Sequence, residues 1–320
     1  MTPAVPHAAR GAAALVSVPA LMAIRSLELR ARAVVEGFWS GLHRSPLHGF
    51  SVEFTEYRQY TPGDDPRHLD WRVFARSDRH FIKKFEDETN LRCHVVLDRS
   101  RSMEFGSIGH TKAAYAATLA ATLAYFLHLQ GDAVGLLTFD ETVRGYLPAR
   151  HRAGHLRHLM HALEAPASGR ATDIAGPLAR IAEIVRKRGL VLLVSDFLAP
   201  VEALERPLTE LVAAGHEVAA FQILDPAERD FSFRDAALFE DIESGRSLHV
   251  DPAAARAGYL ERLAAHQEAL RALCARRGVA WLPLVTDRPL ELALFDFLQG
   301  RARRGRAQRH GPKPEGRAAA

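Results

Sequence analysis

Residues 93–102 read Cys93-His94-Val95-Val96-Leu97-Asp98-Arg99-Ser100-Arg101-Ser102, an apolar run ending in an Asp-x-Ser-x-Ser pentad. In an extended chain, side chains at i, i+2 and i+4 point the same way. Asp98, Ser100 and Ser102 would then present one carboxylate and two hydroxyls to a point just beyond a strand. Such a hard-oxygen nest suits Mg²⁺ or Mn²⁺. The plainer alternative is that Asp and Ser are turn residues bonding their own backbone, and the pentad alone does not decide. Two distant stretches favour the metal. Gly169-Arg170-Ala171-Thr172-Asp173 precedes an apolar-periodic helix, which puts Thr172 in a loop. Gly189-Leu190-Val191-Leu192-Leu193-Val194-Ser195-Asp196 is a second continuous apolar strand ending in a carboxylate.

From residue 91 onward, strand and helix patterns alternate. Strands are expected at 91–98, 133–139, 190–195, 217–224 and 279–285, and helices at 110–130, 152–164, 174–188, 201–213, 253–277 and 289–299. Alternation of this kind argues for an α/β fold with a doubly wound, mostly parallel sheet covered on both faces. In strand order 3-2-1-4-5-6 the first and fourth strands are neighbours, and ligands collect beyond their carboxyl ends. Asp98 would end the first strand. Asp196 would end the fourth, provided a short strand lies between about residues 142 and 148. Leu238 to Val250 reads as a hairpin turning at Ser244-Gly245.

Ahead of the sheet, residues 25–42 suggest an amphipathic helix and Gly49 to Tyr60 alternates like a half-buried strand. Pro62-Gly63 suits a type II turn. Asp65 as N-cap with Pro66 as first helical residue predicts a short helix to Arg76, followed by a strand at Phe81 to Phe85.

The 320 residues are 48% hydrophobic and 25% charged, an ordinary soluble composition. Cys93 and Cys274 lack CxxC spacing, so both read as small buried hydrophobes. Of the net +4, residues 301–320 hold +6, leaving −2 for residues 1–300. The basic excess thus belongs to a Gly- and Pro-containing tail expected to be disordered and solvated rather than a nucleic-acid arm. Residues 11–24 are apolar but too short for a membrane helix, and Pro19 with a thin basic region weighs against a signal peptide. A cytoplasmic chain with no membrane span is expected, its leader over residues 1–25 disordered.

The stretch Arg58-x-Tyr60-x-Pro62-Gly63-Asp64-Asp65-x-Arg67-x-x-Asp70-Trp71-Arg72-x-x-Ala75-Arg76 resembles the signature of a bacterial domain-of-unknown-function family, number fifty-eight. Ser102-Met103-x-Phe105-Gly106-Ser107 with Lys112, Gly131-Asp132-x-Val134-Gly135, Ser195-Asp196-Phe197 and Asp225-Pro226-x-Glu228 follow in the family's order. The resemblance covers about residues 26–299. It implies a domain similar to the von Willebrand factor type A fold over 91–300, with a mixed α/β signature segment over 26–90 packed on it. It also implies a metal-ion-dependent adhesion site whose ligand positions are Asp98, Ser100, Ser102, Thr172 and Asp196, some acting through water. Two carboxylates and three hydroxyls favour Mg²⁺ over Ca²⁺. In such sites a partner's acidic side chain completes the octahedron. Family members often accompany MoxR-type AAA+ ATPases, which implies an adaptor or co-chaperone role.

Arg99 and Arg101 flank the ligands and would either recruit a carboxylate or crowd it. Arg58, Asp64, Asp65, Arg67, Asp70, Arg72 and Arg76 form either a salt-bridge network or a partner surface. The function expected is therefore a non-enzymatic, metal-dependent interaction module. The alternative is a Mg²⁺-dependent hydrolase of phosphoester or peptide bonds; no P-loop, nucleophile elbow or His-Glu-x-x-His motif supports it.

Overall fold

The computed structural model describes residues 15–42, 56–59, 81–84, 91–165, 174–233, 237–240 and 247–309. The chain divides into two compact units, Gly41–Asn90 and the remainder. In the smaller, β1 (Glu56–Gln59) pairs antiparallel with β2 (Phe81–Lys84). The expected helix from Pro66, Trp71 and the charged residues from Asp64 to Arg76 lie outside the described residues.

The larger unit is built on a six-stranded sheet. Its strands are β3 (Arg92–Asp98), β4 (Ala133–Phe139), β5 (Val143–Arg150), β6 (Leu190–Ser195), β7 (Glu217–Leu224) and, after the antiparallel hairpin β8 (Ala237–Glu240) and β9 (Ser247–Val250), β10 (Ala280–Val285). The spatial order is β10-β7-β6-β3-β4-β5. Counted within the sheet this is 3-2-1-4-5-6, as the apolar runs implied. All pairs are parallel except β4 with β5. The strand expected near 142–148 is β5, and it makes β3 and β6 neighbours.

Strands β3, β4, β6 and β7 are almost wholly buried, which explains why they read as unbroken apolar runs rather than alternating ones. On one face Val96, Leu137, Leu193 and Ala220 pack with Leu178, Leu204, Leu208 and Leu270 from helices Ala175–Ile184, Val201–Ala213 and Pro252–Arg277. Against the sheet also lies helix Lys112–Leu129, buried nearly all round and touching β3, β4, β6 and β7. Phe221 meets Phe297 of helix Leu290–Arg309 with ring centroids 5.6 Å apart. Among the described residues no helix is long and apolar enough to cross a membrane.

One outer strand is irregular, and the other carries a proline. The β4–β5 ladder shifts register twice, and Pro148 lies inside one shift. A Cβ on Gly135 would fall 2.7 Å from the Ala149 nitrogen and the Leu147 oxygen, so this close approach admits only glycine. On the opposite side, β10 carries Pro283.

Two termini of the unit correct the sequence reading. The leader is not disordered where it is described: Val18–Ala23 is a helix, with Val18 and Leu21 buried and the Val16 N–H donating to Glu291 Oε1 at 3.2 Å. Pro19 occupies the first turn, where its missing N–H costs no helical bond, so it starts a helix instead of interrupting one. At the other end, the final helix does not stop at 299 but runs to Arg309. Arginine, alanine and glutamine are good helix formers, and Arg301 and Arg304 anchor this turn on Glu217 at 3.0 and 3.6 Å. The stretch from residue 27 to Ser40 also belongs with the sheet unit rather than with the segment that follows it.

Candidate functional site

The site lies beyond the carboxyl ends of β3 and β6. Parallel pairing of Leu97 with Val194 sets Asp98 beside Ser195, whose hydroxyl donates to Asp98 Oδ2 at 2.6 Å. The other oxygen, Oδ1, accepts the Ser100 N–H at 2.8 Å, closing an Asx turn. That turn directs Ser100 toward Ser102, and their hydroxyl oxygens stand 3.1 Å apart. Asp98 and Ser100 are buried, and Ser102 is half-buried in the short 3₁₀ turn Arg101–Glu104. Three of the five expected ligand residues therefore converge on one point. The turn-residue reading of the pentad also holds, since the same Asx turn aims the hydroxyls.

Asp196 follows β6 and is buried. Its Oδ1 accepts the Leu198 N–H at 3.3 Å and its carbonyl accepts from Gln222 Nε2 at 3.0 Å. Phe197 closes this turn at φ 52°, a left-handed conformation that strains a bulky residue. Packing holds it there: its ring is buried and meets Trp281 at 6.1 Å, and its carbonyl accepts from His266 Nε2 at 2.8 Å. Thr172 lies outside the described residues.

A buried cation sits beside the candidate ligands. Lys112 Nζ donates to Asp196 Oδ2 at 2.9 Å and to Glu228 Oε1 at 2.6 Å. Burial pulls its pKa down, but Asp196 and Glu228 outweigh burial and the net shift is upward. Glu228 is held by a capping box, its Oε2 accepting the Asp225 N–H at 2.9 Å while Asp225 Oδ1 accepts from Ala227. Ser107 donates its N–H to Asp225 Oδ2 at 2.9 Å and its hydroxyl to Oδ1. Ser107, Lys112, Asp225 and Glu228 thus form one network with Asp196. Their motifs were visible in the sequence, but no role was attached to them.

Arg99, one of the two arginines flanking the pentad, reaches a helix end. Its guanidinium donates to the carbonyl oxygens of Ala162 and Leu163 at the C-terminal end of helix His155–Glu164. Such carbonyls lack helical partners, and the helix dipole favours a cation there. Arg99→Ala should therefore lower stability by about 1 kcal/mol, as thermal melts will read. Lost partner binding with an unchanged melt would favour the recognition role. Arg101 is exposed, and Arg58 pairs through its backbone with Ile82 in the smaller unit.

Among the described residues no cation lies within bonding distance of the Asp98 carboxylate, whose two oxygens accept from Ser195 and Ser100. Burial first, and Asp196 second, push its carboxyl pKa well up. Asp98, Asp196 and Glu228 thus gather three carboxyl groups around the single ammonium of Lys112. The oxygen-only donors fit Mg²⁺ or Mn²⁺. Among the described residues no group of three or more His, Cys, Asp or Glu could hold a metal. A site here therefore needs the serine hydroxyls. A cavity of about 510 Å³ opens against Asp98, bordered by Arg25, Arg30, Glu104, Thr111 and Glu164.

An open, mostly parallel sheet defines a doubly wound α/β protein, with an oxygen-rich cluster in the crevice where the strand order reverses. Residues 56–269 match the family described as "Protein of unknown function DUF58", and the chain belongs to that family. It is 31% identical over 287 residues to "Uncharacterized protein Rv1480" of Mycobacterium tuberculosis, covering 88% of this chain and 89% of that protein. It is also 31% identical over 133 residues to "Uncharacterized protein MAV169" of Mycobacterium avium, covering 41% and 77% respectively. Among solved structures it is similar to an aerotolerance-related membrane protein from Bacteroides fragilis, with TM-score 0.46, 12% identity, and 66% of this chain and 99% of that chain covered. For the SpRpn10 VWA domain the values are 0.36, 14%, 63% and 92%. At these scores the likeness bears on neither ligand nor partner.

Proposed function

We propose that this chain is a metal-dependent protein-interaction module. The reading places Mg²⁺ or Mn²⁺ at Asp98, Ser100, Ser102, Asp196 and Thr172, with an Asp or Glu of a protein partner completing the coordination. The observation that carries it is Asp98: a buried carboxylate, unpaired with a cation among the described residues, beside the Ser100 and Ser102 hydroxyls at the strand-order switch. When bound, the metal supplies an electrophilic open position. The chain's own residues fix the ligands: Ser195 and the Ser100 N–H hold the Asp98 carboxylate, and Lys112 orients that of Asp196.

The partner in this reading is a MoxR-type AAA+ ATPase, and the chain acts in the cytoplasm as its adaptor or co-chaperone. Co-purification of the two should require Mg²⁺ and fail in EDTA. It should also fail for Ser100→Ala/Ser102→Ala, while circular dichroism of that variant stays unchanged. The purified chain should not turn over nucleotides, phosphoesters or peptides. Metal-dependent hydrolysis abolished by the same double change would promote the hydrolase alternative.

A further inference from the structure

The reading above leaves Lys112 with no more than an orienting part, yet its placement is unusual. Its side chain is 0% exposed, and the carboxylates it meets at Asp196 and Glu228 are 2% and 16% exposed. It also opens helix Lys112–Leu129, where the positive end of the helix dipole disfavours a cation. Burying an ammonium there is tolerable only because two carboxylates meet it.

The contact with Asp196 sets the ammonium against the same carboxylate that the metal would use. A positive charge 2.9 Å from Asp196 Oδ2 lowers the electrostatic pull of that carboxylate on a second cation. Glu228 works the other way, because its fixed carboxylate shares the ammonium at 2.6 Å and draws part of its charge from Asp196. The capping box prevents Glu228 from swinging off, so the division is built into the backbone.

We infer that Lys112 is a positioning residue that holds the affinity of the Asp98–Asp196 site for a divalent cation low, so that stable occupancy needs the acidic side chain of the partner. Glu228 sets the strength of that restraint. The inference rests on the metal-site reading and adds its regulation: metal and partner bind each other's complex with the chain more tightly than either binds alone. Reciprocity of this kind follows from linkage once one ligand supplies charge that the other lacks.

Titration calorimetry of the full chain with MnCl₂ and MgCl₂ tests it through opposite signs. Lys112→Met should tighten binding about tenfold, equivalent to about 1.4 kcal/mol. Glu228→Gln leaves the ammonium undivided on Asp196 and should weaken binding. A merely structural role would weaken both. Should Lys112→Met fail to fold, Lys112→Met/Glu228→Gln removes one charge of each sign, leaves the formal charge of the cluster unchanged, and should also tighten binding. Metal affinities at or below wild type in the foldable Lys112 variants would overturn the inference while leaving the site intact, provided Asp98→Ala abolishes wild-type binding. No metal binding by the wild type at any concentration would overturn both.

Discussion

Asp98→Ala should lose more than about 100-fold in Mn²⁺ affinity, because changes to groups that merely support a metal ligand already cost 10–100-fold. Asp98 is one of two carboxylates among the candidate ligands, and its oxygens are already aimed by Ser195 and the Ser100 N–H. The loss should also be visible in stability. A ligand bound only by the native state at 100 times its Kd adds about 2.7 kcal/mol to unfolding. Wild type should show that gain with Mn²⁺ and Asp98→Ala should show none. Asp140→Asn is the control, since Asp140 is equally buried at the end of β4 but is neutralised by Arg144 at 2.6 Å. It should keep the metal-induced gain. A full gain retained by Asp98→Ala would remove Asp98 from the site.

Acidification should destabilise the fold through His94, far from that site in chemistry if not in strand. His94 lies in β3, buried, and its Nδ1 has no hydrogen-bond partner among the described residues. Burial, then His216 and Arg92, lower its pKa to about 4 from an ordinary 6.5. Between those values the unfolded chain takes up a proton that the native protein refuses, so stability falls as pH falls from about 7 toward 4. The shift corresponds to at most about 3 kcal/mol, of which about 2 kcal/mol should be lost between pH 7 and pH 5. Asp98 and Glu228, whose carboxyls are raised chiefly by burial, act in the opposite direction over part of the same range. The comparison must therefore be differential: urea unfolding of wild type and His94→Leu at both pH values. The His94→Leu variant should lose about 2 kcal/mol less than wild type on acidification. Equal losses would show that His94 accepts its proton without cost.

The strand framework was legible because buried parallel strands must be apolar on both faces, and β4, β6 and β7 begin and end where their runs do. The pentad was legible because its three side chains lie within five residues and need only the local backbone to converge. Lys112 was not, because its carboxylates are 84 and 116 residues away and only the sheet order brings them to it. The leader helix was not legible because it is only six residues long, although Pro19 is suited to its first turn. The last helix runs past the expected 299 because Glu217, distant in sequence, secures the turn beyond it.

The outer strands limit how this chain meets others. A free sheet border is a template for another strand, and natural proteins blunt such borders with proline, charge and bulges. Here Pro148, the two register shifts and the exposed Arg144 and Arg150 interrupt one border, and Pro283 interrupts the other. Neither side offers an unbroken row of donors, so strand addition and end-to-end polymerisation are both disfavoured.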